Sequence, residues 1–242
     1  MITFKDLGRH GRLGNQMFQI ASTIGIARAN NQEYCFPEWK NWDAIERFGL
    51  HEDFEVQDYF KNRLPEFKDD NYANKFINWG YEKININRSI NLIGHMQSEK
   101  YFKHCEDEVR HYFEFKRQGE KKSGCAVHIR RGDYDGGYHP RLDEEYYLPA
   151  MERMGANSYT FYSDSPDEIE KYAKYGEIVP RGDQIHDLQD YSNHECYIIG
   201  NSTWSWWGAW LGGNKTIAPV KWFGDTVNLQ TNDLIPERWE RI

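Results

Sequence analysis

From Cys125 to Pro219 short apolar runs alternate with helical patterns, and few folds accept that order. The strand-like runs are Cys125-Ala126-Val127-His128-Ile129, Tyr159 to Tyr162, Ile178-Val179, Cys196-Tyr197-Ile198-Ile199 and Thr216 to Pro219. Between them lie helical stretches with their own start and stop signals. Asp143 caps a helix from Glu144 to Met154 that kinks at Pro149 and ends at Gly155. Ser165-Pro166-Asp167-Glu168 is a capping box with proline at the first helical position, heading a helix that runs to Gly176. Asp187 to Asn193 comes next, and Trp204 to Leu211 is stopped by Gly212-Gly213. Apolar strands each succeeded by a helix pair in parallel, because every crossover returns the chain in the same direction. The spacing predicts an α/β fold with a doubly wound parallel sheet.

A parallel sheet delivers the residues after each strand to one edge, where open α/β sheets keep ligands. That edge receives Arg130 and Arg131, flanked by His128 and Asp133; then Ser163 and Asp164; then Asn201, Ser202 and Thr203. Adjacent guanidiniums offer planar donor forks suited to phosphate or carboxylate, and they are costly to hold together without an anion. Ser202 and Thr203 bring hydroxyls and backbone N–H groups to the positive end of a helix. Together these residues form a clamp for a diphosphate, with Ser163 and Asp164 as acceptors for a ribose or base. Plainer readings compete: an ion pair between an arginine and Asp133, or Ser202 as a helix cap alone. Arg131-Gly132-Asp133 and Arg181-Gly182-Asp183 are also integrin-type tripeptides, which arise readily by chance. No loop ends in Gly-Lys-Ser or Gly-Lys-Thr and no carboxylate cluster has metal spacing, so guanidiniums would take the place of magnesium.

The first half is less regular. Ile2 to Leu7 reads as a strand and Gly8 to Gln16 as a glycine-rich loop. Met17, Ile20, Ala21, Ile24 and Ala27 then share one helical face, closed by Asn30-Asn31. Gly14 lets backbone approach a ligand, and Asn15 stands where an N-cap would. Tyr34-Cys35-Phe36 and Ile90 to Gly94 read as strands, and Glu99 to Phe115 as a helix. The aromatic stretch through Trp39, Trp42 and Pro65, with the charged Lys68-Asp69-Asp70, either lines an acceptor groove or packs. Lys116 to Gly124, charged and glycine-containing, marks a boundary between an N-terminal domain, 1–119, and a C-terminal domain, 120–242, whose last helix or tail packs back on the first.

Composition narrows the partner. A net charge of −8 with both signs interspersed lacks the basic stripe of a nucleic-acid surface. Cys35, Cys105, Cys125 and Cys196 have neither zinc nor redox spacing, and read as reduced thiols of a cytoplasmic protein. No signal-peptide pattern opens the chain, and no apolar run approaches the roughly 20 residues of a membrane helix. A soluble chain without a membrane span is expected, of bacterial or viral type.

Three motifs carry a family resemblance: Gly11-Arg12-Leu13-Gly14-Asn15-Gln16-Met17-Phe18-Gln19, His128-Ile129-Arg130-Arg131-Gly132-Asp133-Tyr134, and Asn201-Ser202-Thr203-Trp204-Ser205-Trp206-Trp207-Gly208-Ala209-Trp210-Leu211. With Tyr162-Ser163-Asp164 and Asp233-Leu234-Ile235-Pro236-Glu237, they make the chain resemble the α-1,2-fucosyltransferases of glycosyltransferase family eleven. The resemblance implies a GT-B fold, two Rossmann-like halves with parallel sheets facing a cleft. It implies a metal-independent, inverting transfer with no cofactor beyond the donor, GDP-fucose, to a galactose-terminated glycan acceptor. Arg130 and Arg131 would bind the diphosphate, His128 the nucleotide, and Asp133 the arginines or the guanosine. Ser202 and Thr203 would complete the phosphate pocket, and Asn15 would reach the phosphate or the acceptor. Tyr162-Ser163-Asp164-Ser165-Pro166 lacks a second aspartate often found there. Other linkages (α-1,6, or transfer to a protein hydroxyl) and a non-catalytic glycan-binding module are the competing readings. His10, Asp6 and Asp135 all stand as candidates for the general base.

Overall fold

The computed structural model describes residues 1–40, 55–67, 71–134, 137–229 and 231–242. Trp42, Lys68-Asp69-Asp70 and Asp135 lie outside them. The chain divides into two compact units, Met1–Arg117 with Gln230–Pro236, and Gln118–Leu229 with Glu237–Ile242.

Unit 2 is built on a six-stranded sheet in the order β10-β9-β8-β5-β6-β7, every neighbouring pair parallel. The strands are β5 (Lys122–Ile129), β6 (Tyr159–Ser163), β7 (Glu177–Ile178), β8 (His194–Ile198), β9 (Lys215–Ala218) and β10 (Glu240–Arg241). The central strand β5 is buried from Gly124 to Ile129, as a strand covered on both faces must be. Helices α3 (Glu144–Met154), α4 (Gln184–Ser192) and α5 (Thr203–Gly212) connect them. The α/β alternation read from the sequence is therefore present as a parallel sheet.

Asp143 stands at the N-cap position of α3, but its side chain makes no capping bond. Two connections also differ from expectation. The segment after Ser165 is a 3-10 helix, Pro166–Tyr172, and the Ser165 side chain caps nothing. Helix α4 starts three residues before Asp187, because Asp183 accepts from the Ile185 and His186 N–H groups and sets the true N-terminus. The second Arg-Gly-Asp tripeptide is thus a helix start.

Unit 1 has a four-stranded parallel sheet, β2-β1-β4-β3, from β1 (Ile2–Thr3), β2 (Tyr34–Cys35), β3 (Ala73–Phe76) and β4 (Ile90–Ile93). Helix α1 (Leu13–Ala29) is buried over nearly its whole length. The expected helix from Glu99 breaks into 3-10 turns at Glu99–Tyr101 and Lys103–Cys105, with the short α2 (Glu106–Tyr112) after them. Strand β3 carries no apolar alternation, so only its pairing with β4 defines it.

The aromatic segment packs, and it also borders a cavity. Trp39 stacks on Phe60 at 5.3 Å in the core, while Phe36, Pro37, Glu38, Glu55, Arg63 and Phe67 border a cavity of about 330 Å³. No helix among the described residues is long and apolar enough to cross a membrane.

Candidate functional site

In unit 2 the strand ends converge as the parallel register requires. Ile129 pairs with Ser163 and Val127 with Ile198, so Arg130, Asp164 and the 199–203 turn leave the sheet on one edge. Hydroxyls from α3 fasten that edge. Tyr147 donates to the His128 carbonyl at 3.1 Å and Tyr146 to that of Ile199 at 2.8 Å. Tyr134 donates to the Asn201 carbonyl at 2.7 Å, tying the loop after β5 to the turn after β8.

The two arginines part company here. Arg130 Nη1 lies 3.0 Å from Asp164 Oδ2 and its Nη2 donates to Asp133 Oδ1 at 2.6 Å, with its guanidinium 5.5 Å from the Tyr134 ring centre. Arg131 is 3 % exposed, and its Nη1 donates to the carbonyls of Leu142 at 2.8 Å and Arg130 at 3.2 Å. Its Nη2 faces Asp143 at 3.4 Å. The expected pair of open forks is not what the structure holds: Arg130 sits between two carboxylates, and because successive residues leaving a strand point to opposite sides, Arg131 goes inward. Asp143 joins Arg131, Lys171 and Tyr172; burial opposes its charge, but the bonds from Lys171 and Tyr172 and the Arg131 charge hold it below the usual carboxylate range.

Asp164 is likewise engaged, accepting from the Arg131 N–H at 2.9 Å while facing Arg130. Asp164, expected as an acceptor for a ribose or base, brackets Arg130. A Cβ at position 132 would stand 2.0 Å from Asp164 Oδ2, so Gly132 permits that bracket to close. Ser163 Oγ accepts from the Ser165 N–H and shapes the turn. Asn201 is buried, its amide donating to the carbonyls of Pro140 and Trp222, so it braces loops and presents no side chain to solvent.

Ser202 is the N-cap residue of α5 yet makes no side-chain capping bond, and Thr203 begins the helix. His128 is buried with its ring 4.9 Å from that of Trp204. Burial, then the Arg130 charge, pushes its pKa down to about 3, so it is neutral. Its Nδ1 has no hydrogen-bond partner among the described residues. The sequence treated Trp204 and Asp143 only as helix material; their contact with motif residues becomes visible once the strand ends are placed.

In unit 1 Asn15 is not the N-cap. Helix α1 begins at Leu13 with Arg12 as cap, which puts Gly14 and Asn15 in the first turn, and Gly14 is buried. Asn15 Oδ1 accepts from Gln97 Nε2 at 2.8 Å. Gln16 and Gln19 donate to the carbonyls of Gly11 and His10, pinning the loop to its own helix. Among the described residues no group of three or more His, Cys, Asp or Glu gathers as a metal site.

An α-1,2-colitosyltransferase of Escherichia coli is 29 % identical over 96 % of this chain and 96 % of its own length. The O-antigen biosynthesis glycosyltransferase WbnK of Escherichia coli is 28 % identical over 43 % of this chain and 40 % of its own. A crystal structure of POFUT1 in complex with GDP has a TM-score of 0.49 at 13 % identity, covering 90 % of this chain and 97 % of that one. The model of glycosyl transferase family 11 matches residues 2–240, and the chain belongs to that family.

Proposed function

We propose that the protein transfers L-fucose from GDP-fucose to the 2-hydroxyl of a galactoside, with inversion and without a metal ion. The observation that carries this reading is Arg130, held at the end of the central strand by Asp164 and Asp133 on the edge where α5 begins. Unit 2 is the donor half in this reading, and unit 1 serves the acceptor.

Chemistry assigns the roles. As the bond from fucose C1 to the diphosphate lengthens, negative charge grows on the leaving oxygen, and a fixed guanidinium there lowers the barrier. Asp133, half-exposed, is the partner an arriving phosphate displaces, while Asp164 stays and fixes the plane of the fork. Arg131 acts through the backbone it anchors. Ser202, Thr203 and the opening turn of α5 offer donors to the same diphosphate, and His128, neutral beside Trp204, borders the nucleoside.

A second donor has its own support, since the relative matched over nearly its whole length bears the name of a colitosyltransferase. Colitose is fucose without the 3-hydroxyl, so the two sugars ask the same of the diphosphate site. The test is turnover of GDP-fucose and GDP-colitose over a panel of β-galactosides, with and without chelator, with linkage analysis of the product. A 1→2 product that survives chelation is expected; a different linkage, or dependence on a divalent ion, overturns the reading.

A further inference from the structure

The start of α4 uses the Asp183 of the second Arg-Gly-Asp tripeptide and leaves its arginine, Arg181, without a role. Ile129 pairs with Ser163, so the next residues, Arg130 and Asp164, leave β5 and β6 at one level. Phe161 pairs with Ile178, and Asp164 and Arg181 each lie three residues farther on, so Arg181 leaves β7 at that level too. Its Nη1 donates to the Asp164 carbonyl at 3.1 Å, while the Asp164 carboxylate faces Arg130. Two guanidiniums thus flank one residue.

They differ in what they hold. Arg130 is paired with two carboxylates. Arg181 is exposed, has no carboxylate partner among the described residues and commits one nitrogen to a carbonyl, so most of its five N–H donors stay open. The turn that carries it is fixed on both sides. Val179 donates to the Phe161 carbonyl at 2.9 Å, Gly182 to Asp187 at 3.1 Å, and Asp183 caps α4.

Sheet order says which part of a nucleotide this fork can meet. The strands run β8-β5-β6-β7, so α5, which follows β8, opens on one side of Arg130 and Arg181 lies on the other. In the donor site proposed above, the diphosphate between Arg130 and the opening turn of α5 therefore lies away from Arg181. Trp204 spans the distance: its ring is 4.9 Å from that of His128, and its Nε1 donates at 2.9 Å to the carbonyl of Gln184, the first residue of α4. The aromatic border of the nucleoside thus ends at the loop that carries Arg181. A planar donor fork there suits a ring edge with two adjacent acceptors. Guanine has that edge in O6 and N7, whereas adenine sets an amino donor beside N7.

We infer that Arg181 reads the O6 and N7 edge of the donor's guanine and so sets the base specificity of the site. The inference rests on the chain using a GDP-sugar, as proposed above. Asp164 is a positioning residue in it, holding Arg181 through its carbonyl.

The experiment measures, by calorimetry on the full chain, the binding of GDP, ADP and 7-deaza-GDP, which lacks the N7 acceptor. Wild type is expected to bind GDP more tightly than either of the others. In Arg181→Ala, GDP affinity falls about 10- to 100-fold, ADP affinity moves less than about twofold, and GDP and 7-deaza-GDP become alike. Arg181→Gln offers one donor and one acceptor, which suits adenine, and lowers the GDP-to-ADP ratio at least as far. Equal losses for GDP and ADP would put the guanidinium on the phosphates, and an unchanged GDP affinity would make it a plain surface residue. Either result overturns the inference, as does a wild type that binds GDP and ADP alike. If wild type binds none of the three, the donor reading above falls and this one with it. A GDP preference that survives Arg181→Ala sinks this one alone.

Discussion

The C-terminal sheet edges of the two units differ in chemistry. The edge of unit 2 is rich in donors: one guanidinium bracketed by carboxylates, a helix start and buried hydroxyls clamping carbonyls. That of unit 1 carries the Asp6–His10 pair and buried atoms without partners among the described residues, two amide oxygens and an imidazole nitrogen, with a tryptophan stacked on the imidazole. Similar parallel sheets therefore end in different chemistry, and in the function proposed above it is the edge of unit 2 that meets the anion. Each half can accordingly be broken without touching the other.

The largest effects separate the arginines. Arg130→Ala is expected to cut GDP affinity and transfer by about 100-fold or more and to leave the unfolding midpoint nearly unchanged. Arg131→Ala leaves buried partners without their donor, so stability falls first, by about 3 kcal/mol. Calorimetry with GDP and urea unfolding on both variants check this. If Arg131→Ala proves fully stable and merely blind to GDP, unit 2 has two open forks after all.

Next comes pH, through His128 behind the unit 2 edge. Burial depresses its folded pKa to about 3, from the usual 6.5, so the stability it contributes is whole above pH 6.5 and is lost as pH falls toward 3. By pH 5 the unfolded chain binds a proton that the folded one does not, a loss on the order of 2 kcal/mol. Urea midpoints at pH 7 and 5 measure it, and His128→Gln should flatten the difference. His194, pushed down to about 4 by burial and then Lys122, keeps a smaller slope in that variant.

On the unit 1 edge, Trp79→Ala is expected to raise the KM for lactose about tenfold by removing a stacking face, with GDP affinity unaltered. A change in GDP affinity instead would mean that the two edges do not divide the substrates as their chemistry indicates.

Much of this was legible in the sequence, for reasons that also explain what was not. Helices at Leu13–Ala29, Glu144–Met154 and Thr203–Gly212 and the five expected strands of unit 2 show in periodicity because burial fixes their apolar pattern. Arg130 and Arg131 look alike in the sequence, and only the loop's path distinguishes the fork that Asp164 and Asp133 hold from the one that Leu142 takes in. Asn15 carried the side chain of a cap, but the helix had already begun at Leu13. His95 gave no signal at all: its stacking on Trp79 becomes visible only once β3 and β4 are paired.

The smallest effect concerns two helix starts of unit 2. Asp183 caps α4 with two hydrogen bonds, whereas Ser202 stands at the same position of α5 and caps nothing. Asp183→Ala should therefore cost about 1 kcal/mol of stability with little effect on GDP. Ser202→Ala should cost less than about 0.5 kcal/mol, since no capping bond is lost, and weaken GDP binding about fivefold through a lost donor. Opposite results, a stability loss for Ser202→Ala with unchanged GDP affinity, would make Ser202 an ordinary cap and leave Arg130 the chief side-chain donor on that edge.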